Sequence, residues 1–92
     1  MEIGPDTVLQ RKQDILFNKV DGEVVMLSIE NGEYYGMDKV GSRIWELLEY
    51  PIKLHQIISI LLNEFLVSYE ICLSETVKYL NQLINKNLIF IK

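Results

Sequence analysis

The chain has 92 residues, 49% of them hydrophobic and 24% charged, with a formal net charge of −4 at pH 7. A chain of this length is expected to form one domain over residues 1–92 and to bury roughly 60 to 65% of its unfolded surface, which leaves no room for a deep substrate cavity beside a complete core. The acidic balance argues against nucleic-acid partners, which bind through phosphate neutralisation, and no apolar run approaches the roughly 18 residues of a membrane span.

The N-terminal segment MEIGPDTVLQ lacks the basic and then apolar pattern of a secretory signal. We therefore expect a cytoplasmic protein. The one cysteine, Cys72, agrees with a reducing compartment and excludes an intrachain disulfide.

Three strands are predicted before the first helix. One lies within residues 7–20, where apolar and polar residues partly alternate before an Asp-Gly turn dipeptide. The second, over residues 23–30, is β-branched and apolar, and the third covers residues 33–37. The sequence therefore predicts a three-stranded antiparallel sheet at the N-terminus.

The Asn-Gly dipeptide between the second and third strands can adopt the positive φ angles of a two-residue turn. With such a turn, Ile29 faces Tyr34 and Ser28 faces Tyr35. One bulged residue would exchange the two faces of the strand, so the residues leave the register open.

Three helices follow, each indicated by apolar residues three and four positions apart. They are predicted from the N-cap Asp38 to Tyr50, from Lys53 to Phe65, and from the N-cap Ser68 to Lys86, with Asn85 to Asn87 as the stop and a short last strand over residues 88–91. This order predicts an α+β fold similar to a winged helix-turn-helix, with the sheet packed against the helices.

No residue pattern indicates catalysis, a cofactor or a metal site. His55 is the one histidine, and we expect it on the solvent side of the second helix. Cys72 has no histidine near it in sequence, so we interpret it as a small buried residue rather than an activated nucleophile. We therefore predict a protein that is not an enzyme.

The third helix carries more apolar surface than one contact seam needs. One stripe, expected to be core, contains Leu73, Val77, Leu80 and Ile84, and a second stripe beside it contains Cys72, Thr76, Tyr79 and Leu83. Core packing is the favoured interpretation for Leu83, whereas Tyr79 and Thr76 also suit the wall of a groove. The second interpretation predicts that Tyr79→Ala or Thr76→Lys weakens ligand binding with little loss of stability.

Two segments together resemble the PqqD-like family of peptide-recognition domains, above all its stand-alone members from lasso-peptide biosynthesis: GEYYGMDKVGSRIWELLEYP at 32–51 and EFLVSYEICLSETVKYLNQLINKNLI at 64–89. The matching positions are Gly32, Tyr34, Tyr35, Met37, Asp38, Gly41, Ile44, Trp45, Leu47, Leu48, Glu75, Val77, Leu80, Leu83, Leu88 and Ile89. Met37 replaces a usual leucine, Lys53 a capping threonine or serine, and Asn87 a glycine. The change at Met37 nearly conserves volume and is expected to be harmless, and the changes at Lys53 and Asn87 affect local caps rather than the binding face.

The resemblance implies a RiPP recognition element, which binds the leader segment of a ribosomally made precursor peptide. In relatives the leader adds as an antiparallel strand to the sheet edge, in the cleft against the third helix. The leader-binding residues implied here are Glu33, Tyr34, Tyr35, Gly36 and Met37 of the edge strand and Cys72, Thr76, Tyr79 and Leu83 of the third helix, with Met26 or Met37 at the rim.

The resemblance also implies partners. These are a precursor peptide whose leader carries a Tyr-x-x-Pro element, a transglutaminase-like cysteine leader peptidase on a separate chain, and an ATP-dependent cyclase. No cofactor is implied.

Two other functions stay open at this point. A PqqD-type peptide carrier for a radical-enzyme pathway would share the fold and the strand-addition mechanism. A winged-helix DNA-binding regulator suits the order of the helices, but the third helix offers only Lys78 and Lys86 against Glu70 and Glu75, which is far from a basic footprint.

Overall fold

The computed structural model of the protein describes residues 3–28 and 32–92. Its elements in chain order are β1 (Val8–Arg11), β2 (Leu16–Val20), β3 (Glu23–Ser28), β4 (Glu33–Gly36), α1 (Lys39–Leu47), β5 (Ile52–Lys53), α2 (Leu54–Glu64), α3 (Tyr69–Asn85) and β6 (Ile89–Ile91). The predicted α+β fold is confirmed, because a three-stranded antiparallel sheet of order β2-β3-β4 precedes the three helices. No helix in the described ranges has the length and apolar character to cross a bilayer.

The segment predicted to hold one strand holds two. β2 joins β3 through a two-residue turn in which Asp21 and Gly22 have φ angles of 53° and 84°, as their dipeptide predicts. β1 instead leaves this sheet and lies between β5 and β6 in a second antiparallel sheet of order β5-β1-β6. The partial alternation of apolar and polar residues over 7–20 thus comes from two strands that belong to different sheets. The predicted last strand is confirmed as β6.

β4 pairs with β3 two residues away from the register that a two-residue turn would give. The observed pairs are Leu27 with Tyr34 and Met26 with Tyr35, in place of Ile29 with Tyr34 and Ser28 with Tyr35. The predicted turn residue Asn31, and Ile29 and Glu30 at the predicted end of the second strand, lie outside the described part of the chain. A shift of two residues leaves every side chain on its expected face, because the side-chain period of a strand is two.

The faces of β4 are now assigned. Tyr35 lies on the helix side of the sheet with Met26, which is 1% exposed, and packs against the core. Tyr34 points to the opposite face, where 76% of it is exposed. The sheet therefore presents only its Tyr35 face to the helices.

Three helix ends follow the predicted chemistry, whereas α1 ends at Leu47, three residues before the predicted Tyr50. The Asp38 carboxylate accepts a hydrogen bond from Gly41 N at 2.8 Å, and the Ser68 hydroxyl accepts one from Ile71 N at 3.3 Å. Asn87 takes a φ of 63° just beyond α3, the left-handed conformation expected of its stop. Trp45 of α1, Leu48 just after α1 and Leu80 of α3 are fully buried at the centre of the core.

Candidate functional site

The outer edge of β4 is open in the structure. Within residues 3–28 and 32–92, β3 is the one strand that pairs with β4, while β1 and β6 pair with each other. Met37 N donates to Val24 O at 2.9 Å, and alternate residues of an antiparallel strand direct their main-chain groups to opposite sides. The N–H and C=O groups of Tyr34 and Gly36 therefore point away from β3, toward the open side.

Ser42 holds the end of this edge in place. Its hydroxyl accepts a hydrogen bond from Val24 N at 2.8 Å and donates one to Met37 O at 3.3 Å, and its side chain is buried. The hydroxyl thus ties β3, the end of β4 and α1 together where the ladder stops. Ser42 was not predicted as a functional residue, although its place three residues before Trp45 on the apolar face of α1 was a signal.

A groove of about 710 Å³ runs between the end of β4, α1 and α3. Five of the predicted leader-binding residues line it: Gly36, Met37, Cys72, Thr76 and Tyr79. It is also lined by apolar residues that the sequence analysis did not assign to a site, among them Val40, Ile44, Phe65, Leu66, Val67 and Ile71. The edge strand and the third helix are therefore brought together as expected, with α1 and the α2–α3 connection as additional walls.

Four predicted residues do not line the groove. Glu33, Tyr34 and Tyr35 belong to β4, and the Lys86 ammonium lies 4.4 Å from the centre of the Tyr35 ring. Leu83 is 3% exposed and belongs to the core, which was its favoured interpretation.

The burial of α3 differs from the predicted order of its stripes. The buried residues are Cys72, Thr76, Leu80 and Leu83, whereas Leu73, Val77 and Ile84 are half-buried. Cys72, Thr76 and Tyr79 of the second stripe line the groove beside α1 and the end of β4, while Leu73 and Val77 border a smaller hollow of about 350 Å³ toward α2. Of the two methionines predicted as alternatives at the rim, Met37 lines the groove and Met26 is a core residue.

Tyr79 places a polar atom in an apolar wall. Its Oη is buried and has no hydrogen-bond partner among the described residues. Gly41 makes room for it, because a Cβ at Gly41 would lie 2.8 Å from Tyr79 Oη. Burial raises the pKa of the Tyr79 phenol above its ordinary value, and the Asp38 carboxylate raises it further. Tyr79 is therefore a neutral phenol at every physiological pH.

The groove combines apolar walls with the open main-chain groups of β4. Cys72 Sγ lies 4.0 Å from Thr76 Oγ1, and both residues are buried in the α3 wall. Across the described ranges, no three His, Cys, Asp or Glu side chains are grouped so that they could hold a metal ion. What the site offers is an apolar trough beside four main-chain donors and acceptors.

Residues 23–89 match the family of coenzyme PQQ synthesis protein D (PqqD). Among solved structures, the chain is similar to TbiB1 in complex with the TbiA(beta) leader peptide, with 32% sequence identity over 87% of this chain and 93% of that one and a TM-score of 0.79. None of the curated proteins matches the chain.

Proposed function

The chain belongs to the PqqD family, and we propose that it is a RiPP recognition element that binds the leader of a precursor peptide as an added strand on β4. The open β4 edge beside the apolar groove carries this proposal. The solved complex of TbiB1 with a leader peptide supports it, because the two chains share 32% identity over nearly their whole lengths.

Main-chain pairing supplies the geometry of binding but little of its free energy. Tyr34 and Gly36 together offer two N–H and two C=O groups to an added strand. Four such bonds contribute about 2 to 6 kcal/mol, and ordering a flexible leader costs about 2 to 5 kcal/mol. Glu33 and Tyr35 act in this proposal by holding β4 to β3.

The groove supplies the remaining affinity. One leader aromatic buries about 150 to 250 Å², which at about 25 cal/mol per Å² corresponds to about 4 to 6 kcal/mol before other binding costs. Taken alone, this corresponds to a dissociation constant between about 1 mM and about 40 μM, so tighter binding needs further groove contacts as well. We assign this contact to Met37, Cys72, Thr76 and Tyr79, which line the groove. Gly36 leaves open space where a Cβ would stand, so a second backbone can approach there.

In this proposal the protein is a cytoplasmic adaptor without chemistry of its own. It delivers the leader to a transglutaminase-like cysteine peptidase on a separate chain, and an ATP-dependent cyclase completes a lasso peptide. The resemblance of residues 32–51 and 64–89 to stand-alone lasso-peptide members is the basis for these partners.

A peptide carrier for a radical-enzyme pathway is the second candidate. The family description, a coenzyme synthesis protein, favours it. The two candidates share the strand-addition mechanism and differ in the peptide, so a precursor with a Tyr-x-x-Pro leader encoded beside this chain would select the lasso pathway.

Fluorescence anisotropy with a labelled synthetic leader containing Tyr-x-x-Pro tests the proposal, with a Tyr→Ala leader as the control. Backbone N-methylation of successive leader residues tests the strand geometry. We expect binding to be lost at every second residue only, because alternate peptide N–H groups face β4. Equal effects at all positions, or no binding of the unmodified leader, would contradict strand addition.

A further inference from the structure

Two charged side chains of α3 line the groove without a partner. Glu75 and Lys78 are exposed, and neither forms a salt bridge with another described side chain. Charges behind the groove are paired instead: the Arg43 guanidinium contacts the Glu64 carboxylate at 2.8 and 2.9 Å. Both signs of charge are thus available on one wall to a bound peptide.

The order of the two charges along a bound strand follows from the chain directions. Lys86, at the end of α3, lies over Tyr35 of β4. Tyr79, two turns earlier in α3, lies beside Gly41, which follows β4 in the chain. β4 and α3 therefore run in opposite directions, and a strand antiparallel to β4 runs in the same direction as α3. Its N-terminal part passes Glu75 before it reaches Lys78.

The spacing of the charges sets the spacing in the peptide. Three residues of an α-helix rise about 4.5 Å, and an extended chain advances about 3.3 Å per residue. One or two peptide residues therefore span the distance between the two charges.

We propose that Glu75 and Lys78 select leaders in which a basic residue precedes an acidic residue by one or two positions. The inference rests on the proposed function and deepens it, because it names the charge pattern and the polarity of the bound segment. Each exposed ion pair is expected to change affinity roughly two- to five-fold, with most of the effect at low salt.

Paired synthetic leaders test this selectivity. Each pair contains Tyr-x-x-Pro and carries Lys-x-Glu or Glu-x-Lys at the same place, and the place moves along the peptide from pair to pair. At one position we expect the Lys-x-Glu leader to bind about four-fold or more tighter at low salt, and the preference to shrink at high salt. Equal affinities at every position would overturn the inference.

The double variant Glu75→Lys/Lys78→Glu supplies the matched control. It keeps the net charge of −4 and changes only exposed side chains, so we expect it to fold and to prefer the Glu-x-Lys leader. An unchanged preference would assign the selectivity to other groups and overturn the inference. Failure of all leaders to bind the wild-type protein would instead contradict the proposed function, so the two failures are distinguishable.

Discussion

The two sheets of the molecule differ in whether the terminal strands β1 and β6 take part in them. In the β5-β1-β6 sheet, main-chain bonds continue past the strands: Lys92 N donates to Val8 O at 2.9 Å, and Lys12 N donates to Leu88 O at 3.0 Å. In the β2-β3-β4 sheet, β4 ends beside a groove with the main-chain groups of Tyr34 and Gly36 directed outward. The terminal strands β1 and β6 therefore extend the ladder of one sheet, whereas no described strand pairs with the outer edge of β4, where a partner strand can add.

The largest effect on stability is expected from a substitution in the core of the β5-β1-β6 sheet. Leu9, at the centre of β1, is 0% exposed. Leu9→Ala removes its packing and leaves a cavity, so we expect a loss of about 2 to 5 kcal/mol in the free energy of unfolding, measured by urea denaturation. The leader affinity of the folded fraction should not change. A loss below about 1 kcal/mol would show that this sheet contributes little to the fold.

Ser42→Ala is expected to have a smaller effect that reaches the open sheet. The change removes the acceptor of Val24 N and the donor to Met37 O. A buried N–H left unsatisfied costs about 1 to 3 kcal/mol of unfolding free energy, and the end of β4 should loosen, which weakens leader binding as well. Ser74→Ala, on the exposed side of α3, is the matched control. Equal free energies of unfolding for the two variants in urea denaturation would show that the Ser42 hydroxyl does not hold the end of β4 in place.

Tyr79→Phe is expected to change stability still less, and in the favourable direction. The variant removes a buried Oη that has no described partner, so the free energy of unfolding should stay constant or rise by up to about 1 kcal/mol. The ring that lines the groove remains. A drop of more than about 1 kcal/mol in thermal or urea unfolding would show that the hydroxyl is satisfied in solution.

The burial of Thr76 and Tyr79 decides which substitutions are suitable for testing the groove. Thr76 is 3% exposed, so Thr76→Lys would bury an unpaired ammonium and destabilise the fold. Tyr79→Ala would remove a half-buried ring that packs on the core. The earlier expectation that these two changes spare stability is therefore replaced by Tyr79→Phe and by variants of exposed groove residues.

Local chemistry in the sequence was sufficient for the elements and their caps. Asp38, Ser68 and the Asp-Gly turn each act through neighbours within a few residues, and all three were predicted correctly. The sequence left the register of β4 open, because a shift of two residues keeps every side chain on the same face and the alternation along the strand does not distinguish the two registers. The second sheet was missed because β1 pairs with β5 and β6, which follow it by more than 40 residues.

In the candidate site, too, local spacing was informative and long-range packing was not predicted. The spacing on α3 identified Cys72, Thr76 and Tyr79, which do line the groove. The spacing did not show which of the two α3 stripes is more deeply buried, because that depends on α1 and α2, which pack against α3 from different sides. Leu66 and Val67 were missed, since a short connection has no periodicity to reveal that it forms a wall.

The smallest expected effect comes from Glu64→Gln, behind the open groove. The Arg43 guanidinium lowers the pKa of the Glu64 carboxyl, so the pair stabilises the fold above the ordinary carboxyl pKa of about 4.3 and loses that contribution as pH falls through the lowered value. The difference in Tm between wild type and variant should therefore be present at pH 7 and vanish in strong acid. Leader affinity at pH 7 should be equal for both, because the pair joins α1 to α2 outside the groove lining. If Glu64→Gln weakens leader binding instead, the side of α1 that carries Arg43 belongs to the binding surface. The binding surface would then extend beyond the groove and the open edge of β4.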